Sequence, residues 1–291
     1  MHPFGELSPL RQRLGEALRA VRFEAGLTGE QLAERLSVSQ SRISRIELGQ
    51  QAASIDFVRR WTEVTVTLED HRAELVQLAE AAGSEAVPWR ATMGRDLAQL
   101  QRDARETELG AATILSFQPV LVPGLLQVPE YARRIFAAGN PEQGTTDVAA
   151  AVAARMDRQL VLYEGTTRVD FVISEAALRW RIGSPRVMLA QLDRIVALAG
   201  LETVTVGIIP LDTQVDTWHE HGFNLVDGRA EDAPVLHIET QTSQVNTTDP
   251  AEVAFYREAF ARLREAALQV SEAEELLRPI REGLLRAQSE R

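Results

Sequence analysis

The chain has 291 residues, a formal net charge of −11 and no cysteine, a composition that excludes disulfides and thiolate metal sites. Its length predicts two domains, each with its own core. No apolar run reaches membrane-spanning length, and the first residues lack the apolar segment of a secretory signal, so we expect a cytoplasmic protein that does not contact the membrane.

The first predicted domain, residues 1–82, is helical. An amphipathic helix is predicted at 10–25, and the stretch 29–48 that follows it reads GEQLAERLSVSQSRISRIEL. Thr28 is suited to cap a helix, with Gln31 as its capping-box partner. Ser37 begins a tight turn before a second helix. On the first helix, the periodicity places Leu14, Leu18 and Val21 inside and Arg11, Arg19 and Arg22 outside.

The second helix of this pair has a polar face and an apolar face. Ser39 is its predicted cap, Ile43 and Ile46 face the core, and Gly49 follows the last turn. The side chains of the opposite face suit base edges and phosphate oxygens; they are Gln40, Ser41, Arg42, Ser44 and Arg45. The alternative is an ordinary helical hairpin with a solvated outer face. We favour DNA binding because the face carries Gln, Ser and Arg rather than a mixture of Glu and Lys.

The run LGEALRAVRFEAGLTGEQLAERLSVSQSRISRIELGQ resembles the Cro/XRE class of helix-turn-helix domains. The resemblance implies that Gln31 anchors a phosphate and that residues of the second helix read bases. The predicted DNA-binding set is Thr28, Gln31, Ser39, Gln40, Ser41, Arg42, Ser44 and Arg45. Ser37 departs from the family, which commonly has Gly there because the backbone tends toward positive φ; Ser costs about 1 kcal/mol more than Gly in that region.

The distribution of charge is compatible with double-stranded DNA as the partner. Residues 1–60 carry nine Arg and seven acidic residues, so the acidic excess lies in the rest of the chain. A weakly positive module binds modestly on its own. We therefore expect a homodimer on paired half-sites about one helical turn apart.

Residues 83–109 are predicted to be a linker and a connector helix. The run at 83–88 contains Gly and Pro and predicts a break. The helix predicted at 89–109 is rich in charged pairs such as Arg102–Glu106, a pattern typical of an exposed connector or a dimer strut.

The second predicted domain, residues 110–291, is α+β with a small mixed sheet. The predicted strands are 112–117, 169–173, 204–209, 223–226 and 235–238. The predicted helices are 129–138, 147–163, 175–182 and 185–199, followed by two long C-terminal helices at 250–270 and 271–288, the last capped by Ser271 with Glu274.

This region has a resemblance of its own. The run QPVLVPGLLQVPEYARRIF, with FVISEAALRWRIG, VTVGIIP and HGFNLVD after it, resembles a C-terminal domain of unknown function (DUF5753) of actinobacterial helix-turn-helix regulators, described as antitoxin-like or WhiJ-like. The resemblance implies pairing with a small acidic partner protein. The residues themselves allow either a dimerisation and partner surface or a sensor pocket for a small-molecule effector. The residues predicted to serve such a site are Gln127, Tyr131, Arg155, Arg158, Glu175, Arg179 and Trp180. The alternative is that the Pro-Gly turn at 123–124 only orders the core.

An enzyme is not expected. The sequence lacks a Gly-rich phosphate loop and a nucleophile elbow. His219 and His221, with Glu220 and the later His237, would suit zinc only if the segment brought them together, and it shows no second pair at ligand spacing. We therefore predict no metal, no cofactor and no catalytic residues. The hypotheses that remain are a dimeric transcription regulator, an antitoxin-like interaction module that regulates its own operon, and a metal-dependent enzyme.

Overall fold

The computed structural model describes residues 9–49, 53–83, 86–88, 97–139, 145–217, 220–229, 234–240 and 243–290. The chain divides into two compact units. The first comprises the described residues of Met1–Gly94 and Val235–Ala254, and the second comprises those of Arg95–Pro234 and Phe255–Arg291. The predicted boundaries at 82 and 109 stay predictions.

The first unit is built mainly from helices. They are α1 (Pro9–Glu24), α2 (Gly29–Leu36), α3 (Gln40–Glu47), α4 (Ile55–Val64) and α5 (Glu69–Gly83). Their apolar faces meet in one core that includes Leu18, Leu32 and Trp61, each with no exposed side-chain surface. The indole Nε1–H of Trp61 donates to the Leu18 carbonyl at 3.2 Å, which ties α4 to α1. The helical character predicted for this region is confirmed.

Local side-chain chemistry begins and ends α2 and α3 as predicted. Thr28 Oγ1 accepts from the Gln31 amide, and Gln31 Oε1 accepts from the Thr28 amide, completing the capping box. Ser37 ends α2 in the left-handed conformation (φ 57°, ψ 41°). Ser39 caps α3 through the Arg42 amide, and Gly49 follows α3 at φ 70°.

The contact between α1 and α3 differs from the prediction. Arg22 was predicted to point outward but is buried, because Glu47 and the Leu27 carbonyl satisfy its guanidinium. Its Nη2 donates to Glu47 Oε2 at 2.8 Å, and its Nη1 donates to Leu27 at 2.8 Å. Gly15 faces the end of α3 so closely that an added Cβ would lie 2.5 Å from the Ile46 carbonyl oxygen. A bidentate ion pair and a glycine therefore set this crossing.

The first unit also contains short strands. They are β1 (Ala86–Pro88), β6 (Val235–Glu239) and β7 (Ser243–Thr247), with β7 antiparallel to both β1 and β6. Strand β1 lies where a break was predicted, and no strand was predicted for β7. The Arg11 guanidinium joins this ladder to the helices, since Nη2 donates to the Asn246 carbonyl at 3.1 Å and Nε donates to the Ala82 carbonyl at 3.4 Å.

The second unit is α+β with a mixed sheet, as predicted. Its strands are β2 (Ala111–Gln118), β3 (Arg168–Ser174), β4 (Val204–Ile209), β5 (Phe223–Gly228) and β8 (Leu268–Gln269). They lie in the order β5-β2-β3-β4-β8, in which β2, β3 and β4 are parallel and the outer two are antiparallel to their neighbours. The β-branched and aromatic runs that predicted β2 to β5 therefore form this sheet.

Helices connect the parallel strands and pack on them. Between β2 and β3 lie α7 (Pro129–Gly139) and α8 (Thr145–Arg158), and between β3 and β4 lie α9 (Glu175–Arg179) and α10 (Pro185–Leu198). Short 3₁₀ turns occur at Gly124–Leu126 and Gln159–Leu162. The main core includes Leu126, Phe171 and Ile208 from these elements.

Two helices close the chain, with bounds that correct the prediction. They are α11 (Pro250–Glu265) and α12 (Glu274–Ser289), and β8 separates them. The capping box predicted from Ser271 and Glu274 is wrong: Ala273 is the residue before α12, and no side chain caps it. Pairing of Leu268 with Ile208 of β4 holds this stretch extended, so helix 250–270 ends early.

The helix before β2 is more buried than predicted. Helix α6 (Leu97–Leu109) packs one face against α8, burying Ala98, Gln101 and Glu108, so it is not exposed all round; its role as a connector or dimer strut stays a prediction. Residues 89–96, the start of the predicted connector, lie outside the described residues. None of the helices in the described ranges is long and apolar enough to cross a membrane.

Candidate nucleic-acid interface

The polar face of α3 is presented outward while its apolar face is fixed in the core. Ile43 and Ile46 are each 1% exposed and anchor the helix from behind. Around the rest of α3, the predicted readers keep solvent access: Gln40 and Ser41 are exposed, and Arg42, Ser44 and Arg45 are partly exposed. An eight-residue helix held in this way presents a rigid row of donors and acceptors to its surroundings.

The start of α2 lies beside the start of α3. The Gln40 side-chain nitrogen is 3.6 Å from the position that a Cβ on Gly29 would take, so Gln40 lies against the first turn of α2. Thr28 and Gln31, both exposed, belong to the same turn. Gln31 uses its Oε1 within the capping box, and its Nε2 forms no hydrogen bond to the described residues. An amide donor at this helix start suits a phosphate oxygen.

Ser39 and Ser41 share one small hydrogen-bond system at the start of α3. Ser39 Oγ accepts from the Arg42 amide at 3.3 Å and lies 3.0 Å from Ser41 Oγ. Both hydroxyls are exposed. The cap thus places two hydroxyl groups beside the first exposed backbone N–H groups of the helix, where an anion is favoured electrostatically.

Arg42 is partly buried and packs against an aromatic ring. Its guanidinium carbon lies 4.6 Å from the centroid of the Phe57 ring. Burial lowers the pKa of Arg42, and the nearby charges of Arg60 and Arg45 lower it further. The guanidinium stays cationic at neutral pH because the ordinary pKa of arginine is far above 7. Arg42 therefore lies at the edge of the polar face of α3, partly buried and partly at the surface.

The predicted effector set falls into two places in the second unit. Gln127 and Tyr131 are buried beside the 3₁₀ turn at Gly124–Leu126. The Val122 amide donates to the Tyr131 hydroxyl at 3.2 Å, and Gln127 Nε2 donates to the Val122 carbonyl at 2.7 Å. Burial raises the pKa of the Tyr131 hydroxyl. These groups order the chain around the turn.

Arg155 and Arg158 join this turn to α6. Both donate to Gln101 Oε1, at 3.1 and 2.9 Å, and Arg155 also donates to Gln127 Oε1 at 2.6 Å. Arg158 pairs with Glu108 at 2.7 Å. The network also uses Gln159, whose Nε2 donates to the Gln127 carbonyl at 2.7 Å. Sequence reasoning missed Gln101, Glu108 and Gln159, since nothing in their spacing along the chain indicates that they meet.

The other three predicted residues lie at the end of β3. Glu175 is buried, pairs with Arg179, and accepts from the Leu211 amide at 2.9 Å. Trp180 is 61% exposed. The effector role of both groups stays a prediction.

The histidines have separate hydrogen-bond partners. His221 Nε2 lies 2.9 Å from the Tyr256 hydroxyl in the second unit, and His237 Nδ1 lies 2.6 Å from Asn246 Oδ1 in the first. His219 is outside the described residues. Among the residues that the structure does describe, no group of three or more His, Asp or Glu side chains is arranged to hold a metal ion.

Comparison with protein families agrees with the two units. A family model described as a helix-turn-helix domain matches residues 13–75, which include α2, α3 and the exposed face described above. The chain is thus a DNA-binding regulator of the helix-turn-helix class. A second model, described as a domain of unknown function (DUF5753), matches residues 101–279. This match covers more than half of the chain, so the protein belongs to the family that carries this domain. No curated protein is similar enough to the chain to count as a match.

Proposed function

We propose that the protein is a sequence-specific transcription regulator that places α3 in the major groove of its operator. The observation that carries the proposal is the outward row Gln40, Ser41, Ser44 and Arg45 on a helix anchored by two buried isoleucines. Arg, Gln and Ser side chains at this spacing reach base edges and phosphates. Gln31 is proposed as a phosphate anchor and Arg45 as the principal base reader.

We further propose that the regulator acts as a homodimer on a palindromic site in the cytoplasm. Residues 1–60 carry only two more arginines than acidic residues, whereas the rest of the chain has 22 arginines and 35 acidic residues. Non-specific attraction to DNA is therefore weak, and two modules on two half-sites would supply the missing affinity. The second unit is proposed as the dimerisation and regulatory part, with no catalytic role. The finer resemblance to Cro/XRE and WhiJ-like regulators stays a prediction.

Selection from a pool of randomised duplexes by the purified full-length protein tests the proposal. We expect a palindromic sequence to be enriched, with half-sites about one helical turn apart. If the wild-type protein enriches no sequence over the input pool, the proposed function is wrong.

Arg45→Ala tests the role of the reading face. We expect this variant to bind the selected duplex about 10- to 100-fold more weakly and to lose preference at one base pair, because a bidentate arginine–guanine pair provides about 1–3 kcal/mol of discrimination. Arg286→Ala removes the same charge from an exposed site on α12 and serves as the control. Unchanged affinity and base preference in Arg45→Ala would remove it as a reader.

A further inference from the structure

The Phe57 ring has a fixed position next to Arg42 of α3. Phe57 lies in the first turn of α4, where its backbone amide donates a hydrogen bond to Ser54 Oγ at 3.2 Å. Its side chain is 4% exposed and packs edge-on against Trp61, with ring centroids 6.0 Å apart and planes at 73°. Cap and indole together leave this ring little freedom to move.

The Arg42 guanidinium lies over the face of this ring. The separation of 4.6 Å is well within the range in which a ring attracts a cation electrostatically. A stacked guanidinium keeps its N–H groups in its own plane, which is compatible with donation to a phosphate or a base edge.

Arg42 also has cationic neighbours. Arg60 is anchored on α4 because its Nη2 donates to the Leu36 carbonyl at the end of α2, at 2.9 Å. The charges of Arg60 and Arg45 both act on Arg42.

We infer that Phe57 is a positioning residue for DNA recognition, which holds the Arg42 guanidinium in place before the duplex arrives. This inference rests on the proposed function. Ordering a long, flexible side chain in advance lowers the entropic cost of binding. Phe57 itself is too buried to touch a duplex, so its effect on affinity has to act through Arg42.

A role in the core alone predicts a different result. Loss of the ring would then weaken the fold, and with it DNA binding, to the same degree whether or not Arg42 is present. Positioning predicts that the two residues are coupled, a relation that a double-mutant cycle measures directly.

The experiment compares wild type, Phe57→Leu, Arg42→Ala and the double variant as full-length proteins. The probe is the duplex that wild type enriches from a randomised pool, and thermal melting checks the folded fraction of each variant. We expect Phe57→Leu to weaken binding about 3- to 10-fold when Arg42 is present and less than 2-fold when it is absent. Phe57→Leu with Gln40→Ala is the control cycle, in which the two losses should multiply.

Equal losses from Phe57→Leu in both backgrounds would overturn the positioning role while leaving the proposed function intact. Failure of wild type to enrich any duplex would overturn both. If Phe57→Leu does not fold, Phe57→Met retains more of the apolar volume without a ring face and takes its place in the same cycle.

Discussion

Single residues set how closely α1 approaches α3. Gly15 lets the α1 backbone lie against the Ile46 carbonyl, and Arg22 holds Glu47 at the last turn of α3. Neither role follows from periodicity. A glycine inside a helix indicates only a position of low helix propensity. An arginine on an amphipathic helix is normally solvated. Their partners lie about 25 to 32 residues away in the chain.

Arg22→Ala should be strongly destabilising. The change leaves Glu47, whose side chain is 9% exposed, as a buried carboxylate without its bidentate partner. Breaking such a pair from one side costs about 3–5 kcal/mol. Hydrogen exchange of the α1 and α3 amides in the full-length protein is the measurement.

Arg19→Ala is the matched control for Arg22→Ala. Arg19 lies 3.9 Å from the same carboxylate, but its side chain is 52% exposed. Exposed pairs contribute about 0–1 kcal/mol, so little change is expected. Equal losses from both variants would show that burial of Arg22 does not matter.

Gly15→Ala should destabilise the first unit by about 1–3 kcal/mol, because the new methyl group meets backbone oxygens of Ile46 and Glu47 at 2.5 and 2.6 Å. Thermal melting followed by circular dichroism measures the loss. Gly283→Ala on α12 is the control, since an added Cβ there has no described atom within 4 Å and should stabilise the helix slightly. A Gly15→Ala protein as stable as wild type would mean that α1 can shift away without cost.

At the scale of elements, helix ends were predicted best where one short stretch of sequence supplies every partner. The Thr28–Gln31 box and the Ser39 cap each join residues three positions apart. The Ser271–Glu274 pattern looked equally good and is wrong, because pairing of Leu268 and Gln269 with β4 keeps that stretch out of a helix. A capping pattern in the sequence therefore indicates a possible helix start, but long-range strand pairing determines whether a helix begins there.

Two helices end with a non-glycine residue in the left-handed region. Ser37 follows α2 at φ 57°, and Val66 follows the α4 cap at φ 53°. A β-branched side chain is poorly suited to this conformation. We expect Ser37→Gly to stabilise the protein by about 1 kcal/mol and Val66→Gly by about 1–2 kcal/mol, as measured by chemical denaturation.

Glu63→Gly is the control for the two helix-end variants. Glu63 is exposed and helical, so glycine there should destabilise by about 1 kcal/mol. A loss of stability in Val66→Gly would show that other contacts of the valine outweigh its backbone cost.

The glutamine and arginine network marks the limit of prediction in the second unit. Gln127, Tyr131, Arg155 and Arg158 were singled out together, and the structure does bring them together. They were chosen as a ligand site, whereas their described hydrogen bonds are to the chain itself. Gln101 is on α6 and Arg155 is on α8, and the two helices meet only in the folded protein. Hydrogen bonds of this kind therefore cannot be deduced from spacing along the sequence.

For the molecule as a whole, the first unit is assembled from two separate stretches of chain. Helices α1 to α5 come first, β1 follows, and β6 and β7 return about 150 residues later. The polar face of α3 could be predicted because it lies within one short segment. The strands could not be assigned to the first unit from the sequence, because the pairing of β1 with β7 and the hydrogen bond from Arg11 to Asn246 join residues far apart in the chain.

A chain truncated after residue 109 tests this assembly. It retains α1 to α5 and β1 but lacks β6 and β7, so we expect faster hydrogen exchange in β1 and at the start of α1 than in the full-length protein. The α3 amides serve as the internal control. Their exchange should not change, because α3 packs through Ile43 and Ile46 into the helical core, which the truncated chain retains. Identical exchange in β1 would contradict a structural role for the returning strands.

The return of β6 and β7 bears on how such regulators can be recombined. A chain divided once between the two family matches, after residue 75 and before residue 101, loses β6 and β7 from the unit that contains α2 and α3. A hybrid made by joining this head to an unrelated tail would inherit Arg11 without its acceptor on Asn246. Exchange of the helix-turn-helix module between regulators therefore requires that the returning stretch Val235–Ala254 be exchanged together with it.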